Sequence, residues 1–455
     1  MAGGEFKNQD KKLAGAYVNV VSKRQPKANE TESGVVFTIT KGLKWGLNGV
    51  IEVNPTSNFV SLFGVSIDDS ALTALRNILL QAEKVYVFNF NGGLKAAGTM
   101  LVLPWKFTAK YSGTRGNDLK VIVTPDPSST GKYTVQTFFG TILVDTQSVS
   151  KASELMENDY FVATTVSGAT SDDGLSMLKD FSTPVTTTFT GGTDVDAGTQ
   201  TDALIEAIET YDFNVLTAAG EESTAAIHKL FAVTAIRLRD KLGRKVQAVI
   251  PESASYTPNH EGVIVVANGV KLKDGTVLTP TFAAAFVAGA TSAAAPNQSL
   301  TYMQFPDAVD AVPRYNEETQ IKKVNAGVMF FISSRGAVKI STDINSLHVF
   351  SNDKNKDFSK MRVLRVLDNI ANDTRETWED QFIGQVTNNV TGRDLFKADR
   401  VRFLNSLQSI GAIQNFDPAA DIDVSEGENK DSVVATINVQ PTDAMEKLYM
   451  TVVMN

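Results

Sequence analysis

Three histidines are the candidates for acid–base chemistry in this sequence, and they occur at His228, His260 and His348. His228 falls in a predicted helix, His260 lies beside a proline–asparagine turn, and His348 stands between two apolar residues. A hydrolytic triad also needs a nucleophilic serine, but the Gly-x-Ser-x-Gly motif that presents one on a sharp turn is absent. The sequence contains no cysteine, which excludes thiol catalysis, disulfides and Cys-ligated zinc. We therefore interpret the histidines as packing or surface residues.

Two polar loops resemble ligand-binding motifs but lack residues that the chemistry requires. Gly131 and Lys132 resemble the end of a phosphate-binding loop. However, Tyr133 stands where a magnesium-binding hydroxyl is needed, and Asp126 replaces the leading glycine. The run 194–198 begins like a calcium loop, but its third ligand position is a glycine and no glutamate closes it. The sequence therefore predicts no cofactor and no metal ion.

Length and composition indicate a multidomain globular protein. A chain of 455 residues is too long for one hydrophobic core and predicts about two to four domains. With 43 basic and 51 acidic residues the net charge is -8, which argues against a nucleic-acid-binding surface. The most apolar run, 282–295, is Ala-rich and too short for a membrane span, so it predicts a buried helix of small residues. The polar N-terminus does not read as a secretory signal, and we expect a cytosolic protein without nucleic-acid or membrane partners.

The order of the apolar patterns predicts an α/β core. Residues 35–39 and 85–89 read as buried strands. Further along, strand 213–216, a helix that ends at Gly243, and strand 246–250 form a strand–helix–strand unit. Two strands joined by a helix in this way lie parallel in one sheet.

Between these α/β segments the pattern changes to short strands separated by turns, which is typical of a small sandwich or barrel. We therefore predict a multidomain α/β fold, α+β overall, in which the β-rich block is an insertion. The predicted units are an extended N-terminal arm (1–27), an α/β core domain (28–97 and 190–347), an inserted β-sandwich or barrel domain (98–189), and a C-terminal α+β domain (348–455) that ends in a strand arm.

The C-terminal unit begins with a strongly amphipathic helix, predicted at 358–386. A mixture of charges on such a helix is typical of a solvated face, but it equally suits a polar contact with a neighbouring subunit, and both remain open. A second helix ends at Gly411, and two β segments, 433–439 and 448–453, close the chain. The charged residues of the first helix are Arg362, Arg365, Asp368, Asp373, Arg375 and Glu376.

One loop motif and three longer segments carry a family resemblance. Residues 109–118 read Ala-Lys-Tyr-Ser-Gly-Thr-Arg-Gly-Asn-Asp. This stretch resembles the AKYxGxRGN signature of contractile tail sheath proteins from myovirus-type phages and phage-tail-like particles. The leader 1–19, the hairpin and small-residue helix 274–290, and the tail 440–449 are similar to further parts of that family, although Ala14 replaces a common proline. The four segments are spread over nearly the whole chain.

The resemblance implies a structural protein and not an enzyme, with no cofactor. Members of the family stack as hexameric rings around a tail tube in an extended, metastable state, and contract on a baseplate signal to drive the tube into a cell envelope. The partners it implies are other sheath subunits, a tail tube protein, and baseplate and tail terminator proteins. The implied location is a virion tail or phage-tail-like particle assembled in the bacterial host cytoplasm. By the same analogy, helix 394–410 would face the tube.

An extended segment near each end of the chain suggests how such a protein assembles. A strand without a partner can donate its backbone N–H and C=O groups to a sheet in another subunit, and its alternate side chains fill pockets there. We predict that the C-terminal domain offers a half-sheet to these arms; the alternative is that both segments fray or fold back. The predicted arm residues are Tyr17, Val18, Asn19, Val20, Val21, Leu448, Tyr449, Met450, Thr451 and Val452, and the predicted acceptor residues are Val433, Val434, Ala435, Thr436, Ile437 and Val439.

The signature motif also contains a turn, and we interpret it as structural. Gly113 and Gly116 allow a tight bend, and Arg115 and Asn117 hold it, although a ligand-binding loop is the alternative.

Two further functions stay open beside the sheath interpretation. A subtilisin-like hydrolase on the same α/β core would need a histidine, an aspartate and a serine to converge. A surface-layer or fibre-like structural protein would need secretion, which the missing signal sequence opposes.

Overall fold

The computed structural model describes residues 2–4, 15–17, 33–99, 103–128, 131–166, 183–195 and 200–454. The strands are β1 (Ala2–Gly4), β2 (Gly15–Tyr17), β3 (Val35–Lys41), β4 (Gly49–Val53), β5 (Lys84–Phe90), β6 (Lys95–Thr99), β7 (Trp105–Ser112), β8 (Leu119–Pro125), β9 (Tyr133–Phe139), β10 (Ile142–Val149), β11 (Phe161–Thr165), β12 (Val185–Thr188), β13 (Val215–Leu216), β14 (Gln247–Pro251), β15 (Val263–Val266), β16 (Gly269–Leu272), β17 (Val277–Leu278), β18 (Ala308–Val312), β19 (Val328–Met329), β20 (Phe331–Ser334), β21 (Ala337–Ile340), β22 (Ile413–Gln414), β23 (Ile422–Glu426), β24 (Val433–Ile437) and β25 (Gln440–Pro441). The helices are α1 (Phe59–Phe63), α2 (Thr73–Leu79), α3 (Thr201–Thr210), α4 (Ala226–Leu242), α5 (Pro280–Ala293), α6 (Glu317–Asn325), α7 (Met361–Gln381) and α8 (Val390–Ser409).

A seven-stranded sheet of order β19-β15-β14-β13-β3-β5-β4 forms the centre of the molecule. Neighbouring strands are parallel except β4, which lies antiparallel to β5. Strand β15 consists only of β-branched residues, all buried, as expected for a parallel sheet covered on both faces. The predicted strand–helix–strand unit is confirmed as β13, α4 and β14. Helix α4 ends at Gly243, whose φ of 70° is left-handed.

Two apolar layers cover the sheet because side chains of each strand alternate between its faces. In β3, Val36 packs with α2 and α5, whereas Val35 and Phe37 pack with α3 and α4. The predicted buried helix of small residues is confirmed as α5. A Cβ atom added at Gly289 would lie 2.2 Å from the backbone oxygen of Ile78, so α5 approaches α2 as closely as a glycine permits. Within the described ranges, no helix has the length and apolar character needed to cross a bilayer.

The β-rich block is a sandwich and not a barrel. Strands β10-β9-β8-β12 form one sheet and β11-β7-β6 form the other. The two sheets share one apolar core whose largest members, including Trp105, Phe107 and Phe161, are fully buried. The strands of the sandwich run from 95 to 188, and the domain limits given above stay a prediction.

The C-terminal unit is built on an antiparallel pair of helices. Trp378 of α7 contacts Phe396 of α8 near the connecting loop, and Val366 packs with Leu404 towards the other end. Helix α7 is shorter than predicted because a single 3-10 turn precedes it and Gly384, with a φ of 70°, follows it. Strands β23 and β24 form a two-stranded ribbon beside α8, and β22 pairs with β25.

The close packing of α5 on α2 predicts an unusual response to a small substitution. Gly→Ala in a helix interior normally stabilises by about 0.5–1 kcal/mol. We expect Gly289→Ala instead to lower the free energy of unfolding by about 1–3 kcal/mol, because its methyl group would overlap the Ile78 carbonyl. Urea unfolding followed by circular dichroism measures the sign, and a stabilised variant would contradict this packing.

Candidate functional site: the C-terminal ribbon and tail

The ribbon of β23 and β24 has two open edges. The strands pair antiparallel, with Ile422 opposite Ile437 and Val424 opposite Ala435, and neither has a second partner strand in the described part of the chain. Ile422 is buried against α8, but Val434 is 53 % exposed. A two-stranded ribbon is only marginally stable by itself, so these edges are suited to take up another strand.

The predicted acceptor residues all lie in or beside this ribbon. Val433, Val434, Ala435, Thr436 and Ile437 constitute β24, and Val439 follows it and packs with the ribbon's apolar core. Their role as an acceptor for a strand of another chain stays a prediction.

The tail that follows the ribbon forms no strand, so the β segment predicted at 448–453 is wrong for the isolated chain. The physical reason is that a strand requires a hydrogen-bonded neighbour, and the described part of the chain provides none for the tail. Thr451 is also exposed, and the large apolar side chains are almost fully so: Leu448 84 %, Tyr449 89 %, Met450 73 %, Val452 81 %, Val453 75 % and Met454 95 %.

The first part of the tail, residues 442–446, is its root, and it is held against the end of α8 and the start of α7. Thr442 donates its backbone N–H to the oxygen of Ala412 at 3.0 Å. Glu446 forms an ion pair with Lys360 and accepts the Thr301 hydroxyl at 2.7 Å. Although burial lowers the pKa of Lys360, Glu446 and Asp443 together raise it above its ordinary value. The tail is therefore held up to Glu446 and projects freely only after it.

At the other end of the chain the structure contains a short parallel pair of strands. Residues 2–4 of β1 lie beside residues 15–17 of β2, so Tyr17 is the last residue of a paired strand. Val18, Asn19, Val20 and Val21 lie outside the described residues. The proposed donor role of this segment stays a prediction.

The charged side chains Arg365 and Asp368 in the first half of helix α7 are buried in ion pairs rather than exposed to solvent. Asp368 accepts two hydrogen bonds from Arg239 of α4, both 2.8 Å, and the side chain of Arg239 is only 2 % exposed. Arg365 pairs with Asp343 at 3.3 Å and donates to the backbone oxygen of Gln298 at 2.6 Å. These buried pairs join α7 to the core domain within one chain. The sequence pattern showed the charges but not their partners, which lie 22 and 129 residues away.

A third buried pair joins α7 to α8. Arg400 donates to Asp373 at 2.7 Å and to the Thr377 hydroxyl at 2.9 Å, and its side chain is 2 % exposed. Burial raises the pKa of Asp373 despite the neighbouring guanidinium of Arg400. Sequence reasoning missed Arg400, although an arginine on the apolar side of a helix one turn before Leu404 is a usable signal.

The turn of the signature motif lies between the sandwich and the core domain. Gly113 has a φ of 115°, and a Cβ there would lie 2.1 Å from the oxygen of Lys44. Arg115 donates to the oxygen of Gly64 at 3.0 Å. Asn117 exchanges two hydrogen bonds with the backbone of Gly192, at 2.8 and 3.1 Å. At Gly116 an added Cβ would meet the Ala96 side chain at 3.1 Å. These contacts favour the structural interpretation of the turn.

Asp194, in the acidic run after the sandwich, contributes to this junction between the sandwich and the core domain. Asp194 accepts the backbone N–H of Thr114 at 2.7 Å and its hydroxyl at 2.9 Å, with Lys44 at 3.5 Å. Burial opposes ionisation of Asp194, but the Thr114 hydrogen bonds and Lys44 outweigh it and lower the pKa of this carboxyl. Trp45, fully buried, inserts from the core domain between Tyr111 and Phe139 of the sandwich.

The histidines do not assemble a catalytic triad. His228 Nε2 lies 3.0 Å from the oxygen of Glu222, and His348 Nδ1 lies 2.8 Å from the oxygen of Ser346. His260 Nε2 lies 3.2 Å from Asp240. Among the described residues, no serine hydroxyl is a hydrogen-bond partner of these ring nitrogens.

Asp240, His260 and Glu261 come close enough to hold a metal ion, but their hydrogen bonds oppose it. His260 Nδ1 accepts the backbone N–H of Gly262 at 3.0 Å. The proton of the neutral ring must then sit on Nε2, the nitrogen that faces the carboxylates and would have to bind the metal. Burial lowers the pKa of His260, which favours this neutral form, and Lys354 already pairs with Glu261 at 2.6 Å.

Comparison with protein families covers most of the chain. Residues 91–196 match the phage tail sheath protein beta-sandwich domain, residues 195–346 the phage tail sheath protein central domain, and residues 353–455 the phage tail sheath C-terminal domain. These three matches correspond to the sandwich, the parallel-sheet core, and the helical pair with its ribbon and tail.

Individual relatives agree with these matches. The phage-like element PBSX protein XkdK of Bacillus subtilis is 32 % identical over the full length of both chains. The crystal structure of a sheath tail protein from Listeria innocua is 30 % identical, with a TM-score of 0.77 over 93 % of this chain and 96 % of that one. The contracted helical sheath of the anti-feeding prophage shares the fold at 11 % identity, with a TM-score of 0.55 over 96 % and 98 % of the two chains.

The buried pair of Arg239 and Asp368 predicts a large effect of breaking it and a small effect of removing both charges. We expect Asp368→Ala to lower the free energy of unfolding by about 3–5 kcal/mol, because it leaves the Arg239 charge buried without a partner. The double variant Arg239→Met/Asp368→Leu should recover most of this loss. Urea unfolding is the measurement, and Glu318→Ala, in an exposed pair, is the control with little expected change. Equal losses in the single and double variants would contradict this view.

The lowered pKa of Asp194 predicts an acid-sensitive junction. Because its folded-state pKa lies below the ordinary value of about 3.9, its contribution to stability is present above that value. The contribution is lost as the pH falls through the lowered pKa. As the pH falls through this range, we expect the protection of the backbone amides of 113–118 against hydrogen exchange to decrease in the parent chain. The decrease should be smaller in Asp194→Asn. Asp68→Asn, at a carboxylate that is 86 % exposed, should behave like the parent.

Proposed function

The chain belongs to the family of contractile phage tail sheath proteins, and we propose that its copies stack as hexameric rings around a tail tube. The structural role in a virion tail or phage-tail-like particle follows from the family. The proposal adds that rings are linked by strand addition through the N- and C-terminal arms. It adds further that the assembled sheath contracts to drive the tube through a cell envelope.

The observation that carries the proposal is the coexistence of an open ribbon and an apolar tail in one chain. Among the residues that the structure describes, β23 and β24 pair with no further strand at their outer edges, and the tail after Glu446 has exposed apolar side chains and no strand partner. A tail strand laid on the ribbon of another copy would satisfy both. Each Leu, Met or Val side chain buried in this way contributes about 1.5–3 kcal/mol.

The alternation of side chains along a strand defines how the tail would lie. Leu448, Met450 and Val452 would point to one side, and Tyr449 and Thr451 to the other. One set would pack on the partner, while backbone hydrogen bonds continue the ribbon. Residues 17–21 would add a further strand in the same manner.

The anchoring of the tail root refines where movement between rings would occur. The polar composition of 440–447 is typical of a flexible linker, but Thr442 binds Ala412 after α8, and Glu446 binds Thr301 of the core domain and Lys360 at the start of α7. Relative movement of rings would therefore use the chain after Glu446, or require the Lys360 ion pair to open. Contraction without loss of the strand contacts depends on this short connection.

The partners of the assembled sheath follow from the same proposal. They are other sheath subunits, a tail tube protein, and baseplate and tail terminator proteins, with assembly in the bacterial host cytoplasm. Helix α8 would face the tube. We propose no enzymatic role, since His228 and His348 face backbone oxygens and His260 faces carboxylates.

Truncation of the arms tests strand addition directly. We expect the full chain to form striated tubes in negative-stain electron microscopy. Deletion of 1–21, or of 448–455, should leave soluble monomers because each removes one strand donor. Compact monomers with peptidase activity that His228→Ala abolishes would instead indicate a hydrolase, and planar lattices would indicate a surface-layer protein.

Substitutions within the tail distinguish the loss of its apolar strand face from the loss of chain length. The triple variant Leu448→Asp/Met450→Asp/Val452→Asp keeps the backbone and should also fail to form tubes. The control Val277→Asp/Ile321→Asp changes two core-domain residues that are 52 % and 54 % exposed and should assemble normally. Tubes from the truncated chains, with normal length and contraction, would overturn the arm model.

A further inference from the structure

A cavity of about 470 Å³ lies at the tip of the helical pair, where α7 ends, α8 begins and β24 starts. One side of its wall is apolar and aromatic, and the rest is polar, with Thr387, Asn388, Arg393, Lys430 and Asp431. The apolar side chains that line it are Trp378, Phe382, Ile383, Val386, Phe396 and Val433.

The aromatic walls of this cavity form a fixed arrangement. Trp378 stacks on Phe382 with ring centroids 5.5 Å apart and an angle of 5°. Phe396 meets both rings edge-on, at 5.0 and 5.2 Å. Phe382 and Phe396 are buried, whereas Ile383 at the mouth is 58 % exposed. A preformed cavity that combines an aromatic wall with a few polar groups and opens to solvent is typical of a binding site for a largely apolar group.

We propose that this tip pocket receives an apolar side chain from the C-terminal tail of a second copy of the chain. This inference rests on the proposed sheath assembly and identifies where the tail is recognised. The pocket is continuous with the proposed acceptor strand, because Val433 both lines it and begins β24. The tail is also the longest run of exposed apolar side chains in the described part of the molecule.

The tail of the same chain is too far away to fill the pocket with Tyr449. Its root is fixed by Glu446 to Lys360, at the start of α7. Trp378 lies 18 residues further along this helix, which corresponds to about 27 Å. Tyr449 is three residues beyond Glu446, or about 10 Å of extended chain, and Val452, the last of the proposed arm residues, is six residues beyond it, or about 20 Å. The donor and the pocket therefore lie at opposite ends of the helical pair.

This separation defines the type of contact. The pocket at one end of a copy would bind the tail from the other end of the next copy. Such a head-to-tail contact is heterologous, and it generates rings or helical assemblies rather than closed dimers. The tip pocket would thus select the register of the incoming strand, while the ribbon supplies its hydrogen bonds.

Cross-linking tests the occupant, because the chain has no native cysteine. One chain carries Ile383→Cys, and a second, distinguishable by a tag, carries Tyr449→Cys or Met450→Cys, which sample the two sides of the strand. After co-assembly and oxidation, we expect a disulfide-linked heterodimer with at least one of these tail variants. Ile321→Cys replaces Ile383→Cys as the control and should give at least tenfold less product. A product with Tyr17→Cys and none with the tail would overturn the proposal in favour of the N-terminal arm.

A variant at the pocket mouth tests its contribution to assembly. Ile383→Glu should reduce tube yield at least tenfold while leaving thermal unfolding unchanged, since the side chain is exposed. Ile321→Glu, with a similar exposure of 54 %, should assemble like the parent. Normal tubes from Ile383→Glu, or tubes without any tail cross-link, would overturn the pocket and leave sheath assembly intact. Failure of the unmodified chain to form tubes would refute the proposed function itself, and the pocket with it.

Discussion

The position of α7 depends on the buried pair between Arg239 and Asp368, because it ties this helix to α4, which packs on the central sheet. Arg365 and Asp343 add a second connection on the same side. Buried ion pairs contribute little net stability compared with apolar residues, but a charge left without its partner is strongly unfavourable. An arrangement of the helix that separates these groups is therefore excluded. The orientation of the C-terminal unit is fixed by this requirement rather than by apolar packing alone.

Because α7 is fixed, the elements after it in the C-terminal unit are fixed as well: α8, the ribbon and the first residues of the tail. The helix carries α8 through the buried Arg400 and Asp373, and α8 carries the ribbon of β23 and β24. It also holds the root of the tail through Lys360 and Glu446. The tip of the helical pair and the root of the tail are thus parts of one rigid frame, about 30 Å apart along a helix of 21 residues. A constant separation of this kind gives each copy in a proposed assembly the same spacing to its neighbour.

The sandwich is attached differently, through a packed turn and one inserted side chain. Gly113 and Gly192 allow backbone segments to meet where a Cβ would overlap, and Trp45 passes from the core domain into the sandwich. Two chain crossings occur at this junction, at 91–94 and 190–195, and both are hydrogen-bonded to the turn or to each other. The inserted domain is therefore held firmly, although it is connected by short irregular segments.

Much of this architecture is determined by local pattern in the sequence. Strands such as 246–250 and the Ala-rich helix are recognisable because their burial depends on runs and spacings of neighbouring residues. The family was recognisable because the motif 109–118 and three longer segments, spread over nearly the whole chain, all resemble it. Only the tertiary structure decided the partners of Arg365, Asp368 and Asp373. The sequence pattern of a charged helix face is the same whether its charges are solvated by water or paired with a distant residue. It also decided that 448–453 is not a strand in one chain: β propensity describes a side-chain surface, but a strand exists only where a second backbone completes its hydrogen bonds.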